Sequence, residues 1–430
     1  MLTPVEFAAM ARRAVVLAVW SLMTVACARE SPTPPPPAPV YTPRALREIS
    51  VPRTPARVAR GRYLTEGLLQ CFVCHSERDW SKPGAPPVPA LKGAGAVWPG
   101  RSWLVAPNLT PDPETGIGRW TDDMLLRAIR EGISHDGRVL NDQMWYASFR
   151  ALTDDDAEAV VAYLRSLKPI RNPLPATATP ADQQGTLAVP EPITSRRTLP
   201  AVTDPIQQGA RLAWLADCSG CHSSWHTPKN PGLFGGGNLI DRGEHKRFSP
   251  NLTQDPSGIP HYDEALFRDV MRTGRLKGRE LSAVMPWTVF RNLTDDDLNA
   301  LFAYLRALPP VKHVIDNIDA PTVCEICGGT HPLGQYNKPR IRTLVAFDAA
   351  ELRSAAGTFR FETGYQIQIA FDRAKLWLAD GPSERCELLT EDRVTFYCDG
   401  GIDRLQFVRD AKGAVAAVIN LNTERGERVR

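Results

Sequence analysis

Between residues 55 and 320, apolar positions recur at helical spacing in short bursts, separated by irregular stretches that carry glycine and proline. Two of these bursts have one form. Thr153 is followed by Asp154, Asp155 and Asp156, and Thr294 by Asp295, Asp296 and Asp297. A hydroxyl that caps the first free amides, with carboxylates against the positive helix end, predicts a helix N-terminus at both places. Ala159, Val160, Tyr163, Leu164 and Leu167 then fall at helical spacing. The pattern predicts closing helices over 154–167 and 295–308, middle helices over 122–131 and 263–273, and a short helix ending in each of two cysteine pairs. Past Arg340 the period shortens towards two. Runs at 358–361, 365–371, 375–378, 394–398, 405–408 and 415–421, divided by Gly and Asp turns, predict an antiparallel meander or a small barrel.

The helical part is an internal repeat, and repeats decide architecture first. From Gly61 the chain reads GRYLTEGLLQCFVCHS, and from Gly209 it reads GARLAWLADCSGCHSS. Pro107-Asn108-Leu109-Thr110 matches Pro250-Asn251-Leu252-Thr253, and the stretch from Met144 to Asp156 matches that from Met285 to Asp297. The fold class expected is multidomain: two tandem, mainly α copies at 55–172 and 204–318, then a small antiparallel β domain at 346–430. A linker at 173–203 joins the copies and a cysteine-bearing connector at 319–345 leads into the β domain. The 38 prolines gather at 31–43, 82–89 and 169–205, as extended connections do.

Each copy contains the chemistry of haem attachment. Cys71-Phe72-Val73-Cys74-His75 and Cys218-Ser219-Gly220-Cys221-His222 are both CxxCH. Two thiols one helical turn apart reach both vinyl groups of one porphyrin, and the adjacent His is held below the iron. A zinc site would need a second ligand pair at close spacing, which neither copy supplies. Two covalent haem c groups are therefore expected, with His75 and His222 on the irons. Met144 and Met285 are the methionines at equivalent positions and are expected as the second axial ligands. Thioether with imidazole raises the potential and suits reversible one-electron transfer. His135, His226, His245 and His261 lack a counterpart in the other copy and read as surface or core residues. Asn108, Asn251 and Asn292 match the glycosylation pattern, but the first two are one repeat feature seen twice. A loop beside haem, hydrogen-bonded through Asn, is the better reading.

The N-terminus has Arg12 and Arg13 followed by an apolar run at 14–26, shorter than a membrane span and fitting an export signal or anchor over 1–26. Cys27 stands where a bacterial lipoprotein signal places its acylated cysteine, although Thr24 occupies a position that prefers a Leu-like residue. Cleavage nearby, or an uncleaved helix as anchor, are the alternatives. Residues 27–54 then read as a Pro-rich linker. The expected location is the periplasmic side of a bacterial envelope, anchored to the membrane by the N-terminus or its lipid. A net charge of +3 with interspersed signs excludes a nucleic-acid partner, because no basic block tracks a phosphate backbone.

Asn108-Leu109-Thr110-Pro111-Asp112, Gly116-Ile117-Gly118-Arg119-Trp120, Arg130-Glu131-Gly132, Met285-Pro286-Trp287 and Ala303-Tyr304-Leu305-Arg306 together resemble the cytochrome c subunits of membrane-bound alcohol and gluconate dehydrogenases, over roughly residues 55 to 315. The resemblance implies a subunit that takes electrons from a flavin or pyrroloquinoline quinone subunit and delivers them to membrane quinone, usually through three haems. This chain departs from that pattern at Cys324-Glu325-Ile326-Cys327-Gly328, where Gly stands in place of the haem-ligating His and counts against a third haem. Gly357-Thr358-Phe359, Gln406-Phe407-Val408-Arg409-Asp410 and Gly413 resemble the small β-barrel domain appended to serine β-lactamase-like hydrolases, without a catalytic triad.

Of nine cysteines, four serve haem and Cys27 stands apart. In an oxidising compartment the remainder suggest two disulfides, Cys386 with Cys398 on neighbouring strands and Cys324 with Cys327 in a tight loop, a redox-active CxxC being the alternative for the latter. No residue is expected to perform bond chemistry. The leading function is an electron-transfer di-haem cytochrome c that relays electrons from a periplasmic or membrane-bound dehydrogenase to the respiratory chain. The rivals are a di-haem enzyme of peroxidase type and a binding protein whose β domain docks a partner.

Overall fold

The computed structural model describes residues 43–430 except 181–191, 199–201, 225–226, 242–245, 340–342, 362–365, 380–384, 399–403, 422 and 430. Cys27 and the N-terminal signal or anchor lie outside the described residues, as do His226 and His245.

The two copies follow one plan. In the first, α1 (Pro55–Tyr63) runs through a π-helical turn (Leu64–Leu68) to α2 (Cys71–Cys74), then α3 (Asp122–Glu131), α4 (Tyr146–Phe149) and α5 (Asp154–Ser166). The second repeats this order with α6 (Pro205–Leu215), α7 (Cys218–His222), α8 (Glu264–Thr273), α9 (Trp287–Phe290) and α10 (Asp295–Ala307). The caps form where the sequence placed them. Thr153 and Thr294 each accept from the third amide of their helix, at 3.1 Å in both. The middle helices end on Gly132 and Gly274, at φ 64° and 66°, where a side chain would be strained.

First and last helices of each copy cross at a glycine. A Cβ on Gly61 would stand 1.8 Å from the Ala159 carbonyl oxygen, and one on Gly209 would stand 2.0 Å from that of Ala300. The missing side chain lets the backbones touch and sets the frame around each cysteine pair. The copies share one continuous apolar core, from Leu64, Phe72 and Leu164 in the first to Leu212, Leu293 and Leu305 in the second. Tyr63 Oη hydrogen-bonds to the Asp297 carboxylate, and Asn292 Nδ2 donates to the Glu66 carbonyl at 3.0 Å, fastening the two together.

Both stretches read as linkers lie against the first copy where they are described. Arg44 pairs with the buried Asp123 and Glu131, and the Val51 amide donates to Asp122 at 2.9 Å. Burial alone would raise the Asp123 carboxyl, but Arg44 and Arg47 hold it down at about 2. Further along, Thr177 Oγ1 donates to the Val105 carbonyl at 2.9 Å, and the Ala178 amide to that of Trp103 at 2.9 Å.

Short antiparallel ribbons punctuate the loops: β1 (Ala96–Val97) with β2 (Val105–Ala106), β3 (Leu239–Asp241) with β4 (Arg247–Phe248), β5 (Arg275–Leu276) with β6 (Arg279–Glu280), and β7 (Pro321–Val323) with β8 (Thr330–Pro332). After α11 (Ala349–Ala355) the chain forms an eight-stranded antiparallel barrel in sequential order: β9 (Gly357–Phe361), β10 (Gln366–Asp372), β11 (Lys375–Ala379), β12 (Arg385–Thr390), β13 (Thr395–Cys398), β14 (Arg404–Arg409), β15 (Val415–Asn420) and β16 (Glu424–Arg428). β16 pairs back onto β9, Gly426 opposite Phe361, so the sheet has no edge. Of the two readings left open, meander or barrel, the chain adopts the barrel. Phe359, Ile367, Ile369, Leu376, Leu405 and Val418 fill it. β12 and β16 lie outside the apolar runs seen in the sequence: β12 mixes Arg385, Glu387 and Thr390 with Cys386, Leu388 and Leu389 between β11 and β13, while β16 is polar but for Gly426 and gains its partner β9 by closure.

Cys386 and Cys398, on adjacent strands with Cα atoms 5.7 Å apart, are disulfide-bonded. The bond expected between Cys324 and Cys327 is not formed; both cysteines are free and buried. The turn between them instead directs backbone amides at the sulfurs, with Cys327 N–H 3.4 Å from Cys324 Sγ.

Candidate functional site

Each CxxC pair occupies a helical turn entered through a left-handed residue: Gln70 (φ 54°) before α2 and Asp217 (φ 50°) before α7. The three-residue spacing puts both sulfurs of a pair on one face. Burial pushes the thiols of Cys71 and Cys218 up to about 12 and that of Cys74 to about 11. They are therefore protonated at neutral pH, unlike the thiolates of a redox dithiol.

The histidine after each pair is buried and oriented by a carbonyl. His75 Nδ1 lies 2.7 Å from the Pro107 oxygen, and His222 Nδ1 lies 3.1 Å from that of Pro250. A carbonyl can only accept, so Nδ1 holds the proton and Nε2 keeps its lone pair. Burial also lowers both imidazole pKa values, keeping the rings neutral, as a metal ligand must be. Pro107 and Pro250 open the matched Pro-Asn-Leu-Thr loops, which the sequence placed near haem without indicating that a proline carbonyl would hold the histidine. Within them Asn108 Nδ2 donates to the Ile170 carbonyl at 2.7 Å and Asn251 Nδ2 to that of Val311 at 2.7 Å, while each Oδ1 accepts from the Thr two residues on. These buried amides are occupied in holding the loop.

A cavity of about 1170 Å³ opens beside α2, lined by Cys71, Cys74, His75 and Met144 among others. It exceeds the ~300–1,000 Å³ of pockets for drug-sized ligands. Its wall also includes Pro173 to Thr179, from the stretch read as a linker. Prolines gave that stretch the signature of a spacer and concealed its role. Met144 closes a 3₁₀ turn (Asp142–Met144) and packs half-buried against the core. In the second copy Met285 is also half-buried against the core, its amide donating to the Ser282 carbonyl at 3.0 Å. Arg78, just past the first motif, reaches across to the Ala283 carbonyl at 2.8 Å and steadies that methionine loop. His135 lines the first cavity at an exposed position, stacked on Trp120 with centroids 4.4 Å apart. His261 is exposed beside Tyr262.

Unpaired thiols one turn apart, a neutral histidine with a free Nε2 and a broad cavity with a thioether in its wall fit a covalently bound haem. A family model for cytochrome c matches residues 58–168 and 206–309, one match to each copy. The chain belongs to the cytochrome c family. Membership implies covalently bound haem c.

Among curated cytochrome c relatives, the cytochrome c subunit of a quinone alcohol dehydrogenase from Gluconacetobacter polyoxogenes is 30% identical over 285 residues, 60% of this chain and 57% of its own length. The cytochrome subunit of a fructose dehydrogenase from Gluconobacter japonicus is 27% identical over 298 residues, 65% of this chain and 56% of its own length. A dihaem cytochrome c-type protein from Cereibacter sphaeroides is 26% identical over 253 residues, 56% of this chain and 83% of its own. The chain thus spans just over half the length of these two dehydrogenase subunits. Among the described residues no helix is long and apolar enough to cross a membrane.

Proposed function

We propose that this cytochrome c carries two haems and relays electrons from a dehydrogenase subunit towards the respiratory chain on the periplasmic side of the envelope. The observation behind this reading is one hydrogen bond. Gln70 Nε2, on the residue before Cys71, donates to the carbonyl of Ala216 at 2.6 Å, two residues before Cys218. The two CxxCH motifs thereby begin side by side within one shared core, which supports a route for electrons inside the protein between groups bound to them. His75 with Met144, and His222 with Met285, are the axial pairs of this proposal. Bound haem supplies the one-electron chemistry; the protein supplies ligands, burial and orientation. The dehydrogenase partner rests on the names of the relatives, the two-haem count on the repeated motif, and the periplasmic and membrane-anchored placement on the N-terminal run and Cys27. At Cys327 the following Gly328 sits at φ 71°, a backbone that disfavours a haem-ligating His there.

The test uses holoprotein with Met144→Ala. One of two low-spin haems is expected to turn high-spin, labelling the first iron, while His135→Ala leaves both unchanged. An electron injected by flash photoreduction then equilibrates between labelled and unlabelled haem at a rate independent of protein concentration. Equilibration that scales with concentration would overturn the relay, and two unchanged low-spin spectra would overturn the ligand set.

A further inference from the structure

Four side chains outside the haem sites converge at the root of the β7–β8 ribbon. His313 arrives from the segment after α10, Cys324 and Cys327 from the turn of the ribbon, and His331 from β8. One ligand atom from each lies within 4.8 Å of every other, and all four residues are at most 1% exposed. His313 Nε2 is 3.0 Å from His331 Nε2 and 3.5 Å from Cys324 Sγ. A tetrahedron with bonds of about 2.0–2.3 Å has edges of about 3.3–3.8 Å; the 3.5 Å separation falls within that range and the 3.0 Å one lies just below it, so a small outward movement of the rings admits the ion.

The hydrogen bonds around the cluster leave it in need of a cation. His313 Nδ1 is 2.8 Å from the Gly235 carbonyl oxygen, and His331 Nδ1 is 3.0 Å from that of Pro332. Each carbonyl fixes the proton on Nδ1, so two unprotonated Nε2 atoms face one another in a dry site. A disulfide between the cysteines would leave those lone pairs opposed and unsatisfied. The turn is shaped for thiolates: Cys327 N–H points at Cys324 Sγ and Gly329 N–H at Cys327 Sγ, each at 3.4 Å, while Gly328 takes the left-handed conformation that reverses the chain. We infer that His313, Cys324, Cys327 and His331 form a closed, four-coordinate structural zinc site.

Two thiolates and two neutral imidazoles balance a divalent cation, leaving no net charge to bury, and four protein ligands leave no open position for catalysis. The site clips the ribbon to the second haem copy. Gly235, which orients His313, belongs to the loop in which the Gly236 amide donates to the His222 carbonyl at 2.8 Å. A Cβ on Gly237 would stand 2.8 Å from the His313 ring, so that loop runs directly beneath the cluster. Loss of the metal is therefore expected to disturb the second haem and spare the first.

Holoprotein purified without chelators is expected to contain one zinc per chain beside its iron. Zinc K-edge absorption is expected to show two sulfurs at about 2.3 Å and two nitrogens at about 2.0–2.1 Å. The C324S/C327S double variant is expected to lose the zinc, keep both haems attached and shift the potential of one. The metal content of the unmodified protein decides the matter even if that variant fails to fold. Zinc-free protein with a Cys324–Cys327 disulfide on peptide mapping would overturn the site, and stoichiometric copper would overturn its assignment to zinc.

Discussion

Replacing Gly209 by Ala tests whether the missing side chain sets the crossing of α6 on α10 that frames the second CxxCH motif. The new Cβ would lie 2.0 Å from the Ala300 carbonyl oxygen, 2.6 Å from its carbon and 2.7 Å from Tyr304 Cβ. Ordinary contact begins near 3.4 Å, so about 1.4 Å must be found. Two of the three obstacles are helix backbone, which cannot rotate away, and the helices must separate. Overpacking of this kind costs about 1–3 kcal/mol and occasionally more. Against it stands about 1 kcal/mol gained by replacing Gly with Ala inside a helix. A shortfall this large belongs at the upper end of the cost, giving a net loss of about 2 kcal/mol, or roughly 4–8 °C in Tm for a cooperative unit of this size. Gly67→Ala is the control. Its Cβ would meet Leu293 at 3.6 Å, an ordinary contact, so the same substitution is expected to be neutral or slightly stabilising. Thermal melts of the oxidised holoprotein, followed by far-UV circular dichroism, compare the two. If Gly209→Ala melts with the wild type, the crossing is not set by the missing side chain and the reasoning fails.

Asp123→Ala leaves Arg44 with Glu131 as its carboxylate partner and removes the anchor of Arg47, which is expected to cost about 1–3 kcal/mol and to free the segment from residue 43 to residue 51 for limited proteolysis; an unchanged digestion pattern counts against it. In the intact protein the Asp123 carboxyl is depressed to about 2, so its contribution is present above the unfolded value near 4 and lost as pH falls towards 2. Denaturation midpoints across that window should decline in the wild type and much less in Asp123→Asn. Burial raises the Asp217 carboxyl, next to the second motif, to about 6. As pH rises through that value the new negative charge favours the ferric haem, so one potential should fall by tens of mV, within the ~59 mV per pH unit of a one-electron couple. Redox titration at pH 5 and pH 8 measures it, and Asp217→Asn should abolish the slope; a slope unchanged in that variant would assign it to another group.

Whatever depends on local spacing is legible in the sequence. Two thiols and a histidine within five residues, repeated in each copy, point to haem attachment whatever the tertiary structure. Thr153 and Thr294 ahead of aspartates specify helix starts, because capping is decided within a single turn. The alternating runs specified most barrel strands. What the sequence left open depends on residues far apart meeting. Strand β16 is polar on every position but its glycine, and only pairing with β9 makes it a strand. Pro173 to Thr179 looks like a spacer until the first cavity is seen to need a wall. Cys324 and Cys327 invite a disulfide on spacing alone, and the folded chain brings His313 and His331 to within reach of both. Gln70 carries no motif, yet its amide joins the stretches that lead into the two CxxCH motifs. Each of these is a long-range contact whose energy is realised only after the core has formed, so no local pattern announces it.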